Sequence, residues 1–268
     1  MSSSDRARAA VLTRSQQAAS QPVQPSTQAA LFYPVLDLYQ RARTFWQQVL
    51  PDRIGQTLLV VSHGGTNHAL ISTALGLTPA QHHRLQQSNG GISLLTFPET
   101  CWRSAQLHCL NGTAHLGETL PELKAGKRGL RLILVPLSAD RDQWQWFSQR
   151  CQSVEIDFSL SSHGRLAESM LNVLLHPHPQ AVRLETTRRD FLQAWQQTIQ
   201  ARRSTAEPSR LHTGLVLASE SEIQQILAQA IGLNPLEGWR LPIDRSRLSV
   251  LHYPGADHPP VLQGLNLT

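Results

Sequence analysis

Apolar side chains recur at intervals of three and four from Val35 through Leu36, Leu38, Tyr39, Ala42, Phe45 and Trp46 to Leu50, where Pro51 stops them. That spacing predicts an amphipathic helix over 35–49. Gly55 then introduces Thr57-Leu-Leu-Val-Val-Ser62, a short apolar run rich in β-branched residues that reads as a buried strand over 57–62. After His63-Gly64-Gly65 the helical period returns over 66–75, until Gly76 and Pro79 end it. The same reasoning gives strands at 92–97, 131–135, 214–218 and 247–252, and a helix at 221–231. Strands alternating with helices predict an α/β, three-layer fold with a mostly parallel sheet.

Laid on itself at an offset of 156 residues, the stretch Thr57 to Pro98 matches Thr213 to Pro254 without a gap, with 12 identities in 42 positions. Leu59/Leu215, Val60/Val216, Gly76/Gly232, Pro79/Pro235 and Arg84/Arg240 are among them, and a one-residue gap then brings Leu110-Asn111-x-Thr113 onto Leu265-Asn266-x-Thr268. Two copies are too few for a solenoid and imply a duplicated domain. The expected division is a unit over 31–126 and a second over 127–268, joined where Pro, Gly, Lys and Glu cluster between Glu118 and Gly129. Residues 1–30, rich in Ser, Gln and Ala with one acid, Asp5, are expected to be a disordered tail.

Composition narrows the classes. With 40% hydrophobic residues in 268 the chain closes a real core, and its apolar runs, such as Leu58 to Val61, are too short for a membrane span. The net charge of +5 is spread, with +2 in 1–30, +1 in 31–126 and +2 in 127–268, so no dense basic face marks a nucleic-acid footprint. Cys101, Cys109 and Cys151 make neither an even disulfide framework nor a zinc-type cluster. A reducing, cytoplasmic setting without structural metal or cofactor is expected, and the His82-His83 and His176-Pro-His178 pairs read as surface or packing residues.

The chemistry concentrates at Ser62-His63-Gly64-Gly65, at the carboxyl end of one predicted strand and the start of a helix, which is where α/β sheets hold ligands. Gly64 and Gly65 let backbone N–H groups approach an anion, and the helix N-terminus adds partial positive charge. Phosphate suits such a site. The same residues also make a plain tight turn, with His63 capping the helix and no ligand.

Thr57-Leu-Leu-Val-Val-Ser-His63-Gly-Gly, the helix running to Gly76-Leu77, and Gln87-Ser-Asn89-x-x-Ile92-Ser93 resemble the second half of a histidine phosphatase, of the phosphoglycerate-mutase-like superfamily. The likeness continues through Leu110-Asn111-x-Thr113-Ala-His115-Leu116, similar to the tandem, two-unit members. By that resemblance His63 contacts the transferred phosphoryl group and Gly64 donates a backbone hydrogen bond to it. The family also needs a nucleophilic histidine in an Arg-His-Gly motif, and no Arg-His-Gly occurs in this sequence. Unit one is expected to lack its first catalytic half. In unit two, Leu130-Arg-Leu-Ile-Leu-Val135 resembles the family's first strand but is followed by Pro136-Leu137-Ser138, while Ser219 and Glu220 stand where His63 and Gly64 do.

The resemblance thus implies one partial unit plus one degenerate unit. It admits a phosphoester hydrolase or mutase, inactive as the chain stands, a non-catalytic module that binds an anion or a protein partner, or a purely structural protein. The implied ligand is a small phosphorylated molecule or inorganic phosphate, with no nucleic acid and no membrane.

Overall fold

Alternate residues of Leu130-Arg-Leu-Ile-Leu-Val135 face opposite sides of a strand, so such a run needs apolar cover on both faces. The computed structural model supplies it. It describes residues 7–10, 34–98, 101–187, 189, 191–205, 210–255 and 258–268. The strands are β1 (Ala7–Ala10), β2 (Thr57–Leu59), β3 (Ile92–Phe97), β4 (Gln106–Gly112), β5 (Gly129–Pro136), β6 (Phe158–Ser162), β7 (Val182–Thr186), β8 (Leu211–Ala218), β9 (Leu248–Tyr253) and β10 (Val261–Leu267). The helices are α1 (Pro34–Val49), α2 (Gly64–Ala74), α3 (Arg141–Cys151), α4 (Arg165–Leu174), α5 (Phe191–Thr205) and α6 (Glu220–Ile231). Leu130, Leu132 and Leu134 of β5 enter a core shared with α1, α2, α5 and α6. Ile133 and Val135 enter a second core under α3 and α4, with Trp144, Phe147 and Met170.

The fold is α/β, with a ten-stranded sheet in the order β2-β1-β3-β4-β10-β9-β5-β8-β6-β7. It is mixed rather than mostly parallel. The pairs β1–β2, β5–β8, β8–β6 and β6–β7 are parallel, and β1–β3, β3–β4, β4–β10, β10–β9 and β9–β5 antiparallel. The physical reason is that β3 to β4 and β9 to β10 are joined by connections too short for a parallel crossover. No helix among the described residues is long and apolar enough to cross a membrane.

Four residues inside the stretch expected to be a disordered tail, Ala7–Ala10, form β1 between β2 and β3. The gap between those strands presents two rows of backbone donors and acceptors, and a strand placed there satisfies both. The rest of 1–30 lies outside the described residues. The register is that of β5: Arg8 stands opposite Thr57 and Thr96, as Arg131 stands opposite Thr213 and His252. The cover differs between the halves. Leu59 and Ile92 are 61% and 50% exposed, whereas Leu215 and Leu248, 156 positions on, are 0% and 1% exposed beneath α3 and α4.

The halves meet through β4 and β10, where Leu110 pairs with Leu265. Next to that pair, Asn111 and Asn266 both hold left-handed backbone, at φ 56° and 48°. Asn111 donates from Nδ2 to the Gln263 carbonyl at 2.8 Å, and Asn266 donates to the His108 carbonyl at 2.9 Å. Each accepts on Oδ1 from a backbone N–H, that of Ser88 at 2.6 Å and that of Asp244 at 3.0 Å. Each also donates its own N–H to a serine hydroxyl, Ser93 or Ser249. Of the aromatic residues, Trp144 and Phe147 are buried in the core under α3 and α4, and Trp146 packs against it. Trp195 belongs to the other core, and Trp239 is 43% exposed with the Arg240 guanidinium 4.6 Å from its ring centre.

Candidate functional site

The site begins where β2 ends. Buried Val60 anchors the chain beside the sheet, and α2 starts at Gly64, two residues earlier than the apolar period indicates. The helix is buried along Ala69, Leu70, Ile71 and Ala74 against α1 and the sheet, with Trp46 Nε1 donating to the Leu70 carbonyl at 3.0 Å. It stops where Gly76 adopts φ 77°. Burial of the body fixes where the amino end points.

His63 occupies the N-cap position with extended backbone, φ −66° and ψ 151°, but its side chain makes no capping hydrogen bond. The reading of His63 as a side-chain cap is therefore corrected: it holds the N-cap position by its backbone alone. Those amides have no intrahelical acceptor, and the first turn of α2 carries no acid. His63, Gly64 and Gly65 are exposed. A methyl group at Gly64 would meet nothing within 4 Å, and one at Gly65 only the Leu38 Cδ2 atom at 3.9 Å. The glycines thus leave room beside a helix start whose first N–H groups have no acceptor within the helix, the kind of place an anion uses.

The corresponding turn in the other half is closed by its own side chains. Ser219 Oγ accepts from the Glu222 N–H, Glu222 Oε2 accepts from the Ser219 N–H at 2.7 Å, and Glu220 is paired with Arg245. Two carboxylates in the first turn of α6 already answer its partial positive charge. At the end of β5, Pro136 pairs with Ala218, so Leu137 and Ser219 leave adjacent parallel strands at the same end of the sheet. Neither brings an imidazole there. The Ser138 hydroxyl accepts from the Asp140 N–H at 3.1 Å, and its carbonyl accepts from Trp144 Nε1 at 2.8 Å.

Beside Gly64 and Gly65 opens a cavity of about 740 Å³, which His63 does not line. Sequence reasoning did not assemble its wall, which adds His68, His82, His83, Lys124, Arg128 and His258 from four separate stretches. His68 Nε2 contacts the Leu85 carbonyl, its Nδ1 lies 3.3 Å from His82 Nδ1, and His82 Nδ1 lies 3.3 Å from the Tyr39 hydroxyl. Burial, then the neighbouring His82, pushes His68 down to about 4. Burial and His83 lower His82 as well. Among the described residues no group of three or more His, Cys, Asp or Glu side chains is placed to hold a metal ion.

The His68 displacement has a sign. The unfolded chain takes up this proton near 6.5 and the folded one only near 4, so stability is full above about pH 6.5 and falls as pH drops toward 4. The loss amounts to about 3 kcal/mol over that window. Urea titrations at several pH values should show it in the wild type and lose it in His68→Gln, whose amide still reaches the Leu85 carbonyl. An identical pH slope in both would remove His68 as its source.

Comparison with known proteins places this turn in a family context. The wheat (Triticum aestivum) protein named 2-carboxy-D-arabinitol-1-phosphatase is 33% identical over 145 residues, 53% of this chain and 26% of that protein. A probable 2-carboxy-D-arabinitol-1-phosphatase of Arabidopsis thaliana is 39% identical over 79 residues, 30% of this chain and 16% of its own. The chain thus spans about a quarter or less of these relatives. Among solved structures, the alpha-ribazole phosphatase of Shigella flexneri overlaps 51% of this chain and 96% of its own at 16% identity and TM-score 0.39. The phosphoglycerate mutase of Plasmodium falciparum overlaps 50% and 87% at 12% identity and TM-score 0.40. Residues 5–109, the stretch that holds His63, Gly64 and Gly65, match the model of the histidine phosphatase superfamily (branch 1).

Proposed function

We propose that this chain is a histidine-phosphatase-like module that holds a small phosphate ester, or inorganic phosphate, at His63, Gly64 and Gly65 without turning it over. The two halves are read as copies of one unit, the first without an Arg-His-Gly motif and the second having lost its anion-binding residues. The observation that carries this reading is the contrast between the two helix starts. The start of α2 is open, acid-free and not capped by His63, while that of α6 is closed by Ser219 and Glu222. The family match over residues 5–109 supports the choice of phosphate as the anion, and the relatives named as phosphatases support an ester of a small molecule. A partner-binding role is the second reading, supported by the exposed Leu59, Val61 and Ile92.

A helix start of this kind contributes about 0.3–1 kcal/mol toward an exposed anion, well short of the about 4 kcal/mol of a millimolar Kd, so phosphate affinity no tighter than about millimolar is expected. Phosphate or vanadate titration followed by amide NMR should move Gly64 and Gly65, leave Ser219 to Ser221 in place, and weaken in His63→Ala. Shifts centred on Ser219, or binding indifferent to His63→Ala, would return the turn to a purely structural role.

A further inference from the structure

A second cavity, of about 560 Å³, opens between α5 and α6, and neither Gly64 nor Gly65 lines it. Its apolar wall is made by Trp195 and Ile199 of α5, Ile226 of α6 and Tyr253 at the end of β9, all of them buried. Gln229 lines it and is exposed. That volume lies within the range of small-molecule sites.

The guanidinium-bearing residues Arg84 and Arg203 line the same cavity, and among the described residues its lining holds no carboxylate. Arg203 stands 5.2 Å from the centre of the Tyr253 ring. Arg84 donates from Nη1 to the Ala230 carbonyl at 2.7 Å, in the last turn of α6. Burial pushes the Tyr253 phenol up to about 12, although both arginines pull it down, so at neutral pH it remains an O–H donor.

The other half shows the same arginine with a counter-charge. Arg240, 156 positions after Arg84, is buried, pairs with Glu237 at 3.2 Å, and reaches the Ala105 carbonyl at 3.4 Å. Each arginine thus crosses the seam to a carbonyl of the opposite half. Where Glu237 stands in the second half the first has Gln81, whose amide donates to the Gly232 carbonyl at 2.6 Å. Arg84 keeps the seam contact without that carboxylate. The carboxyl end of α6 answers part of its charge, and the same partial negative charge disfavours a dianion such as a phosphate ester. A monoanion suits the place better.

We infer that the cavity between α5 and α6 binds a small carboxylic acid with an aromatic or branched apolar body, its carboxylate on Arg84 and its body against Trp195, Ile199 and Ile226. The ligand's carboxylate does for Arg84 what Glu237 does for Arg240, through charge-assisted hydrogen bonds. The site is separate from the turn at His63 and is independent of what that turn holds. Because Arg84 belongs to the first half and the apolar wall to the second, the bound acid also ties the halves together and raises the melting temperature.

The test titrates 3-phenylpropanoate, its neutral amide and phenethyl phosphate into the full chain by calorimetry, with NMR locating each. The acid should bind about tenfold more tightly than the amide or better, and this advantage should shrink as salt is raised. It should shift the Trp195 indole and Gln229 amide signals and leave Gly64 and Gly65 in place. Gln229→Glu, an exposed substitution that puts a carboxylate in the cavity, should erase the preference for the acid, as should Arg84→Gln, with thermal melting confirming the fold of both. Equal affinity for acid and amide, or a preference that survives Gln229→Glu, overturns the inference. Tighter binding of the phosphate than of the acid at Trp195 overturns the assignment to a carboxylate, and acid shifts confined to Gly64 and Gly65 overturn the site itself.

Discussion

Purified protein is expected to hydrolyse p-nitrophenyl phosphate, or to isomerise a phosphoglycerate, no faster than buffer. Transfer through a phosphohistidine needs an imidazole nitrogen with a free lone pair in line with the phosphorus, beside a second group that stabilises the charge developing on the transferred oxygens. His63 fits the second role by resemblance, and no Arg-His-Gly motif in this sequence offers the first. Leu137 stands where the resemblance puts the nucleophile of the second half, next to Ser219, and a hydrocarbon side chain has nothing to donate. The cavity histidines are poor substitutes: both ring nitrogens of His68 face partners, and His82 Nδ1 lies between His68 and Tyr39. Loss of a covalent nucleophile costs several orders of magnitude in rate. Steady turnover abolished by His63→Ala would show that a nucleophile has been overlooked, and His83→Ala and His258→Ala would then identify whether the cavity supplies it.

What the sequence disclosed follows from how local each signal is. Helices α1, α2 and α6 were legible because apolar period, glycine and proline agree within a dozen residues, and the turn at His63 was legible because strand, glycines and helix are consecutive. β4 and β10 were not read as strands. Their polar residues are explained only by bonds to partners distant in sequence: Asn111 and Asn266 reach across the seam, Gln106 reaches Trp239, Gln263 reaches Pro121 and His108 meets Thr96 on β3. β6 hides differently: Ser159, Ser161 and Ser162 are buried between neighbouring strands, where hydropathy predicts exposure. β1 carries alanines and an arginine without β-branching and takes its place through β2 and β3, which lie some fifty and ninety residues away. The family match begins at residue 5, so the arginines counted as part of a tail, Arg6, Arg8 and Arg14, fall within it. The cavity was invisible for the same reason as the seam, because Gly64, His82, Lys124 and His258 share no local pattern and meet only in the fold.

Replacing Asn111 or Asn266 by alanine is expected to destabilise the chain by about 3–6 kcal/mol, a large part of the roughly 5–15 kcal/mol that holds a domain together. Asn111→Ala removes the acceptor for the Ser88 N–H and the donor for the Gln263 carbonyl. Asn266→Ala strips the Asp244 N–H and two carbonyls, of His108 and Pro242. Each orphaned buried group costs about 1–3 kcal/mol. Alanine in left-handed backbone adds roughly 1–2 kcal/mol, which glycine avoids, so Asn111→Gly should recover that part and no more. Asn111→Asp keeps an acceptor for Ser88 but turns a carboxylate toward the Gln263 carbonyl, and should be no better than alanine. Because the two asparagines flank the same Leu110–Leu265 pair, their effects should not add. Once one is gone the halves are loosened, and the second substitution removes less. Urea midpoints of the singles and the double measure this. A loss under about 1 kcal/mol for both singles would mean that water replaces these bonds, and that packing around Leu110 and Leu265 holds the seam instead.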